Sequence, residues 1–464
     1  MSQILSPQVL PTGGMLPEHG PEYPVSGLKS ETFNVSRRLF LQKTSVLGVG
    51  AFGINSLFNQ LHAREFEQAN QLINDLPFGS DIAEEDYWAI IQKAYSVNPE
   101  IINLNNGGVS PAPRAVQEAV EQYNKMTNGG PSYYMWRILD QGREPLRQKL
   151  AELAGCLPEE IAINRNSTES LNTIIYGLTL QRGDEVIGTK QDYPNMIQAW
   201  RQRSLREGIV YTQLNFDFPI EDDEQIVEAF RKAITPNTKI LHITHVINWV
   251  GQIMPVKKLC RLAHSKGIEV IVDGAHSFGL LDFNIPDLGC DYFGTSLHKF
   301  LSAPVGSGMM WIKKEHIGKI WPLLCNSMPQ SDDIRKFETL GTRSFPIEQG
   351  IGEAINFHNA IGSKRKEERI RYLKNYWAEK ALKINKVKIH TSLKQDYSCA
   401  IGGVSIDGMK PGDLATKLFD GYRIHAVGID WENIHCVRVT PHIYTTLKEM
   451  DILVQALTEI AAKA

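Results

Sequence analysis

Between about residue 160 and residue 312, short β-branched runs alternate with stretches whose apolar residues recur every three to four positions, and this rhythm constrains the fold more than any other feature. Residues 161–164 form a strand by this reading. Asn166 and Ser167 are good N-caps for a helix that puts Leu171, Ile174, Ile175 and Leu178 on one face, and Gly183 closes the unit. A second helix carries Ile226, Val227, Phe230 and Ile234 and leads into a strand at 239–243; a third runs from Pro255 to Gly267. Val270-Ile271-Val272 is apolar throughout, as a strand buried on both faces must be. The expectation is an α/β fold with a mostly parallel, doubly wound sheet. Past Gly308-Met309-Met310-Trp311-Ile312 the pattern changes to a basic helix around 364–383, strands near 387–389 and 403–406, and a final helix from Leu447, which together make a smaller C-terminal α+β domain. The divisions are a leader at 1–64, a helical linker at 65–100, a large domain at 101–345 and a small domain at 346–464. No repeat of 20 to 50 residues is present.

Charge and cysteine content remove several function classes. The chain has 464 residues with 49 Lys+Arg and 52 Asp+Glu, a net charge of −3, so no broad basic field exists for nucleic acid. The six cysteines, Cys156, Cys260, Cys290, Cys325, Cys399 and Cys436, are far apart and form no C-x-x-C pair. This argues against a zinc site and a disulfide framework, and leaves buried thiols as the expectation. No metal is expected.

The first 35 residues are rich in Pro, Gly and Ser without an apolar period. Then comes Ser36-Arg37-Arg38-Leu39-Phe40-Leu41, followed by a segment from Thr44 to Ala63 that has no Asp, Glu, Lys or Arg and is interrupted by Gly48, Gly50 and Gly53. A positive cluster before a modestly apolar stretch, too short and glycine-rich to span a membrane, is the physics of an export signal. The arginine pair resembles a bacterial twin-arginine signal, which implies the translocation machinery as a partner and a periplasmic destination. A basic pair before a surface helix is the plain alternative. With no clear A-x-A site, both cleavage and retention as an anchor stay open.

In parallel sheets, ligands bind at the carboxyl ends of the strands, so polar residues just after each apolar run are the candidates. Asp273 follows the most apolar strand, in Val272-Asp273-Gly274-Ala275-His276-Ser277, where an unpaired carboxylate would be costly. Lys299 follows another strand at 291–294, in Ser296-Leu297-His298-Lys299-Phe300, before the turn Pro304-Val305-Gly306-Ser307-Gly308. Ser167 and Thr168 open a helix whose free N–H groups and dipole attract anions. His245-Val246-Ile247-Asn248 ends a strand. Singly, each has an ordinary explanation: a cap, a turn former, a solvated charge.

Together, the order Thr168, Asn248, Asp273, Lys299 resembles the class V aminotransferase family of pyridoxal-phosphate enzymes, over about residues 100–460. The group includes isopenicillin N epimerases and cysteine desulfurases. Asp192-Tyr193-Pro194-Asn195 and Gly341-Thr342-Arg343-Ser344 look most similar to the isopenicillin-N-epimerase-like branch. The resemblance implies the fold type I architecture of these transferases, pyridoxal 5'-phosphate as cofactor, and a small amine or amino-acid substrate altered at Cα by transamination or epimerisation. It makes Lys299 the Schiff-base lysine and Asp273 the partner of the pyridine nitrogen. It gives the phosphate to Thr168, Ser296 and His298, a cofactor contact to Ser167, the neighbourhood of the phenolic oxygen to Asn248 and His276, and ring stacking to Tyr193, where a histidine is common. Arg438, in Cys436-Val437-Arg438-Val439, becomes the carboxylate clamp, and Asn106, in Asn106-Gly107-Gly108, a lining residue. Tyr133-Tyr134-Met135-Trp136 would line the site or a subunit interface. Thr342 and Arg343 would reach a neighbouring protomer in a homodimer.

One departure bears on the reaction. Cysteine desulfurases carry a sulfur-accepting cysteine on a loop before the arginine, and residues 421–428 here contain none. Epimerisation needs a second acid on the opposite ring face, for which Tyr193, His425 or a residue near Trp136 can be named. β-Elimination, as in a C–S lyase, shares the first step and is the alternative. A non-catalytic binding protein is disfavoured by the joint presence of Lys299, Asp273 and Arg438, and a nucleotide-binding fold by the absence of G-x-G-x-x-G and of a P-loop.

Overall fold

A computed structural model describes residues 83–464; the leader and its arginine pair lie outside the described residues. Helix α1 (Glu85–Lys93) precedes a two-residue strand β1 (Ile102–Asn103), and α2 (Arg114–Asn128) and α3 (Arg143–Ala154) then lead into the large sheet. That sheet uses β2 (Ile161–Asn164), β3 (Glu185–Thr189), β4 (Val210–Leu214), β5 (Thr238–Thr244), β6 (Glu269–Asp273), β7 (Tyr292–Ser296) and β8 (Gly308–Ile312). Helices α4 (Ser167–Gly177), α5 (Pro194–Glu207), α6 (Asp223–Ala233) and α7 (Val256–His264) connect them.

The strand order is β2-β8-β7-β6-β5-β3-β4. β8 runs antiparallel to both neighbours, and β7 through β4 pair in parallel. Four strands, β2, β3, β7 and β8, are buried residue by residue, as helices on both faces require; β5 exposes only Lys239 of its seven residues. Separate apolar clusters fill the two sides: Leu241, Ile243, Val270 and Val272 with α6 and α7, and Ile240, Ile271, Tyr292 and Met310 with α4 and α5. The alternation along β5 and β6 therefore decides which face each residue serves.

After β8 the chain forms α8 (Phe345–Ile361) and α9 (Ser363–Ala381), then β9 (Val387–Ile389), β10 (Gly402–Ile406), α10 (Pro411–Tyr422), β11 (Ile424–His425), β12 (Val427–Trp431), β13 (Ile434–Val439) and α11 (Leu447–Ala461). β12-β13-β10-β9 make an antiparallel sheet, while β11 pairs in parallel with β1 and ties residues 102–105 to this C-terminal layer.

The sequence reading and the structure differ in places. The third helix ends at His264, not Gly267, because Gly267 takes a positive φ of 70° that closes a turn. β7 extends to Ser296, which puts Ser296 on the sheet. Helix α9 is basic but not solvated: Lys366, Arg369 and Lys374 are buried, Lys374 donating to Ser392 O and Ser398 Oγ, and Arg369 pairing with Glu85 of α1 at 2.6 Å. All six thiols are free, but Cys325 is exposed and Cys156 only partly covered, so the expectation of uniformly buried thiols holds for four.

Candidate active site

Asp273 closes β6 and is 3% exposed; its Oδ1 accepts from Ala275 N at 2.9 Å. Burial pushes its carboxyl upward, opposed by that N–H and by the Lys299 charge. Gly274 follows because a Cβ there would lie 1.8 Å from the Phe293 ring. The turn then swings His276 into place, with Nε2 2.8 Å from Lys299 Nζ. Burial holds His276 well below the usual histidine range, helped by the positive Lys299 and Arg438, so the ring is neutral. Desolvation likewise pulls Lys299 down to about 8, with Asp273 opposing and Arg438 assisting. The lysine is an amine rather than a fixed ammonium at mildly alkaline pH.

The N-terminus of α4 faces this group. Asn166 caps it by accepting from Glu169 N at 2.9 Å, and Ser167 N donates to Ser296 Oγ at 2.9 Å, which in turn donates to Ser167 Oγ at 3.0 Å. β8 presses closely on the turn: a Cβ on Gly308 would sit 2.5 Å from Asn166 N. Thr168 is half-buried on the same first turn. His298 is held by Nδ1 against Ser307 O at 3.0 Å. Two serines, a threonine and a helix dipole together suit an anion.

Arg438 arrives from β13 of the small sheet. Its Nη1 donates to Asn248 O at 3.0 Å, its Nη2 to Asn105 Oδ1 at 2.8 Å, and burial lowers it to about 10. Tyr193, at the start of α5 and 38% exposed, contributes to the field at Arg438. Among the described residues, the buried Nε of Arg438, Oδ1 of Asn248 and Nδ1 of His276 have no hydrogen-bond partner. The Arg438 N–H is a buried donor that suits an anionic group, whereas the Asn248 oxygen is a buried acceptor that suits a donor.

A family model described as aminotransferase class V matches residues 102–453. The chain belongs to the class V aminotransferase family. Isopenicillin N epimerase of Amycolatopsis lactamdurans is 28% identical over 81% of this chain and 98% of its own length. A probable cysteine desulfurase of Halalkalibacterium halodurans is 28% identical over 77% and 92%. Among solved structures, the cystine C-S lyase C-DES with its product cysteine persulfide aligns with TM-score 0.71 at 22% identity, covering 78% of this chain and 98% of that one. The apo cysteine desulfurase of Thermococcus onnurineus gives 0.71 at 22% identity, covering 82% and 98%. At this identity the structures show the fold, a fold type I architecture.

In this class V protein the sequence candidates are not placed equally. Lys299, Asp273, His276 and Arg438 share one electrostatic neighbourhood, and Ser167 meets Ser296. Asn106 stands apart from them: it is fully buried, its amide donating to Asn103 O and Thr440 O while Oδ1 accepts from Tyr444. Its neighbour Asn105 makes the arginine contact instead and also meets His425 Nε2 at 3.4 Å. The sequence signal for Asn105 was the polar turn itself, Asn103-Leu104-Asn105-Asn106. Arg343 is bound within its own chain, to Asp140 at 2.8 Å and Glu348 at 2.9 Å. Asp192, which the sequence offers only as part of the Asp192-Tyr193-Pro194-Asn195 run, is fully buried, accepts from Thr189 and from Thr244 Oγ1, and burial lifts it to about 7. Among the described residues no His/Cys/Asp/Glu cluster could hold a metal ion.

Proposed function

We propose that the protein is a pyridoxal-phosphate enzyme that acts at Cα of an amino acid or amino-acid-containing metabolite, as an aminotransferase or epimerase. The observation that carries this is the Lys299 amine, lowered to about 8, held by a neutral His276 at 2.8 Å within the field of a buried Asp273 and of Arg438. When bound, the cofactor supplies a carbonyl that takes up amino groups and a ring that accepts the electrons released as a bond at Cα breaks. The residues fit it: Lys299 offers the amine for the Schiff base, and Asp273 holds a protonated ring nitrogen. Ser167, Thr168, Ser296 and His298 would hold the phosphate at the α4 N-terminus, Asn248 and His276 would lie near the phenolic oxygen, and Tyr193 would cover the ring. As a free amine, Lys299 would move a proton at Cα, with His276 as its hydrogen-bond partner. Arg438 orients the substrate carboxylate.

β-Elimination is the second reading, favoured by the C-S lyase fold neighbour. A cysteine-persulfide mechanism is disfavoured, since Cys436 beside Arg438 is fully buried and its thiol is pushed up to about 12. A panel of L- and D-amino acids in deuterated water separates the reactions. Conversion to the pyridoxamine form marks transfer, Cα exchange with inversion marks epimerisation, and keto-acid release from cystine marks elimination. No spectral change and no exchange with any donor would contradict the proposal.

The proposal extends to export and assembly. Ser36-Arg37-Arg38-Leu39-Phe40-Leu41 before an uncharged segment supports twin-arginine export to the periplasm; recovery of the protein only in the cytosolic fraction would remove that part. Among the described residues, no helix is long and apolar enough to cross a membrane. Exposed Tyr133, Trp136, Leu323, Leu324 and Met328 support a homodimer, which light scattering tests.

A further inference from the structure

The small sheet is fastened to the large domain far from the arginine it carries. Hairpin β12–β13 pairs Val427 with Arg438 at one end and Trp431 with Ile434 at the other. At about 3.4 Å per residue the tip lies roughly 14 Å from Arg438 along the strand. At that tip, Trp431 Nε1 donates to Lys190 O at 2.8 Å and its ring stacks on Trp249, 5.5 Å between centroids and 23° between planes. Asn433 Oδ1 accepts from Gln191 Nε2 at 2.8 Å, and its Nδ2 donates to Phe216 O at 3.0 Å.

Both anchor points run directly into the site. Gln191, fully buried, lies two residues before Tyr193, and Trp249 follows Asn248, whose carbonyl receives Arg438. The pairing of two antiparallel strands makes the hairpin a stiff ribbon, so the position of its tip sets the position of its base. We infer that Trp431 and Asn433 are positioning residues: they latch the hairpin to the loop before Tyr193 and so hold Arg438 where a substrate carboxylate docks. The inference rests on the proposed roles of Arg438 and Lys299. Substrates or inhibitors that carry a carboxylate depend on the latch, and those without one do not.

Aminooxyacetate and methoxyamine test this, because both react with a pyridoxal-phosphate carbonyl and bleach the yellow enzyme, but only the first carries a carboxylate. The readout is the ratio of their bleaching rates. In Trp431→Phe/Asn433→Ala, a pair that keeps the stacked ring and changes an exposed amide, the aminooxyacetate rate should fall about tenfold while the methoxyamine rate stays within twofold. Arg438→Ala sets the scale, with the preference abolished. An unchanged ratio in the double variant, an equal fall with both reagents, or a wild-type protein that does not distinguish them would overturn the inference. A colourless wild-type protein would instead overturn the cofactor reading beneath it.

Discussion

A lysine prepared for reaction should destabilise the protein that holds it. Burial lowers Lys299 from its ordinary 10.5 to about 8, and at about 1.4 kcal/mol per pH unit this opposes folding by roughly 3 kcal/mol when the group is protonated. The sign follows from proton uptake. Below pH 8 the amine is protonated both folded and unfolded, so the full cost is present; between about 8 and 10.5 only the unfolded chain keeps the proton, and stability recovers. Lys299→Met keeps the apolar stem and removes the charge. It forfeits the 2.8 Å contact with His276 Nε2, worth about 1 kcal/mol. The cofactor-stripped variant should therefore be more stable than the stripped wild type by about 2 kcal/mol at pH 7, and this advantage should disappear by pH 10.5. Urea unfolding of both proteins at the two pH values is the assay. A Lys299→Met protein less stable at pH 7, or equally advantaged at both, would refute the reasoning.

Other outcomes follow from the same geometry. Arg438→Lys gives up the forked bonds to Asn105 and Asn248 and should raise KM for amino acids by about ten- to a hundredfold, with a smaller effect on kcat, in steady-state kinetics. Gly308→Ala drives a Cβ onto the Asn166 backbone and should weaken cofactor affinity at least about tenfold by fluorescence titration, because it displaces the first turn of α4. Glu338 is buried between Arg147 at 2.6 Å and Arg143 at 3.0 Å, so Glu338→Ala leaves these arginines with only Glu144 and Glu348 and should cost about 3 kcal/mol in denaturant unfolding. Asn166→Ala removes a cap and should cost about 1 kcal/mol in the same assay.

What the sequence disclosed was local. Val270-Ile271-Val272 had to be a central strand, and the residues after it and after β7, Asp273 and Lys299, had to stand at the carboxyl edge of the sheet. The cap at Asn166 was equally legible, since an N-cap acts within three residues. Contacts across long separations were not. Asn105 reaches Arg438 across 333 positions, and nothing in the turn distinguished it from Asn106. Helix α8 was missed because Pro346, Gly350 and Gly352 break its apolar period, although it packs closely on α2. In α9 a charge pattern that reads as solvated hides buried cations: Lys366 donates to Phe300 O, directly behind Lys299, and Lys374 to carbonyl and hydroxyl oxygens. Polar satisfaction by backbone oxygens leaves no mark on sequence periodicity.

The central claim is a covalent bond between Lys299 and the cofactor aldehyde. Purified protein treated with borohydride, digested with trypsin and read by mass spectrometry examines it at one residue. A pyridoxyl-phosphate adduct on Lys299 blocks cleavage there and leaves one peptide running from Gly267 to Lys313 with the added mass. Unmodified cleavage after Lys299, or an adduct on another lysine, would contradict the account.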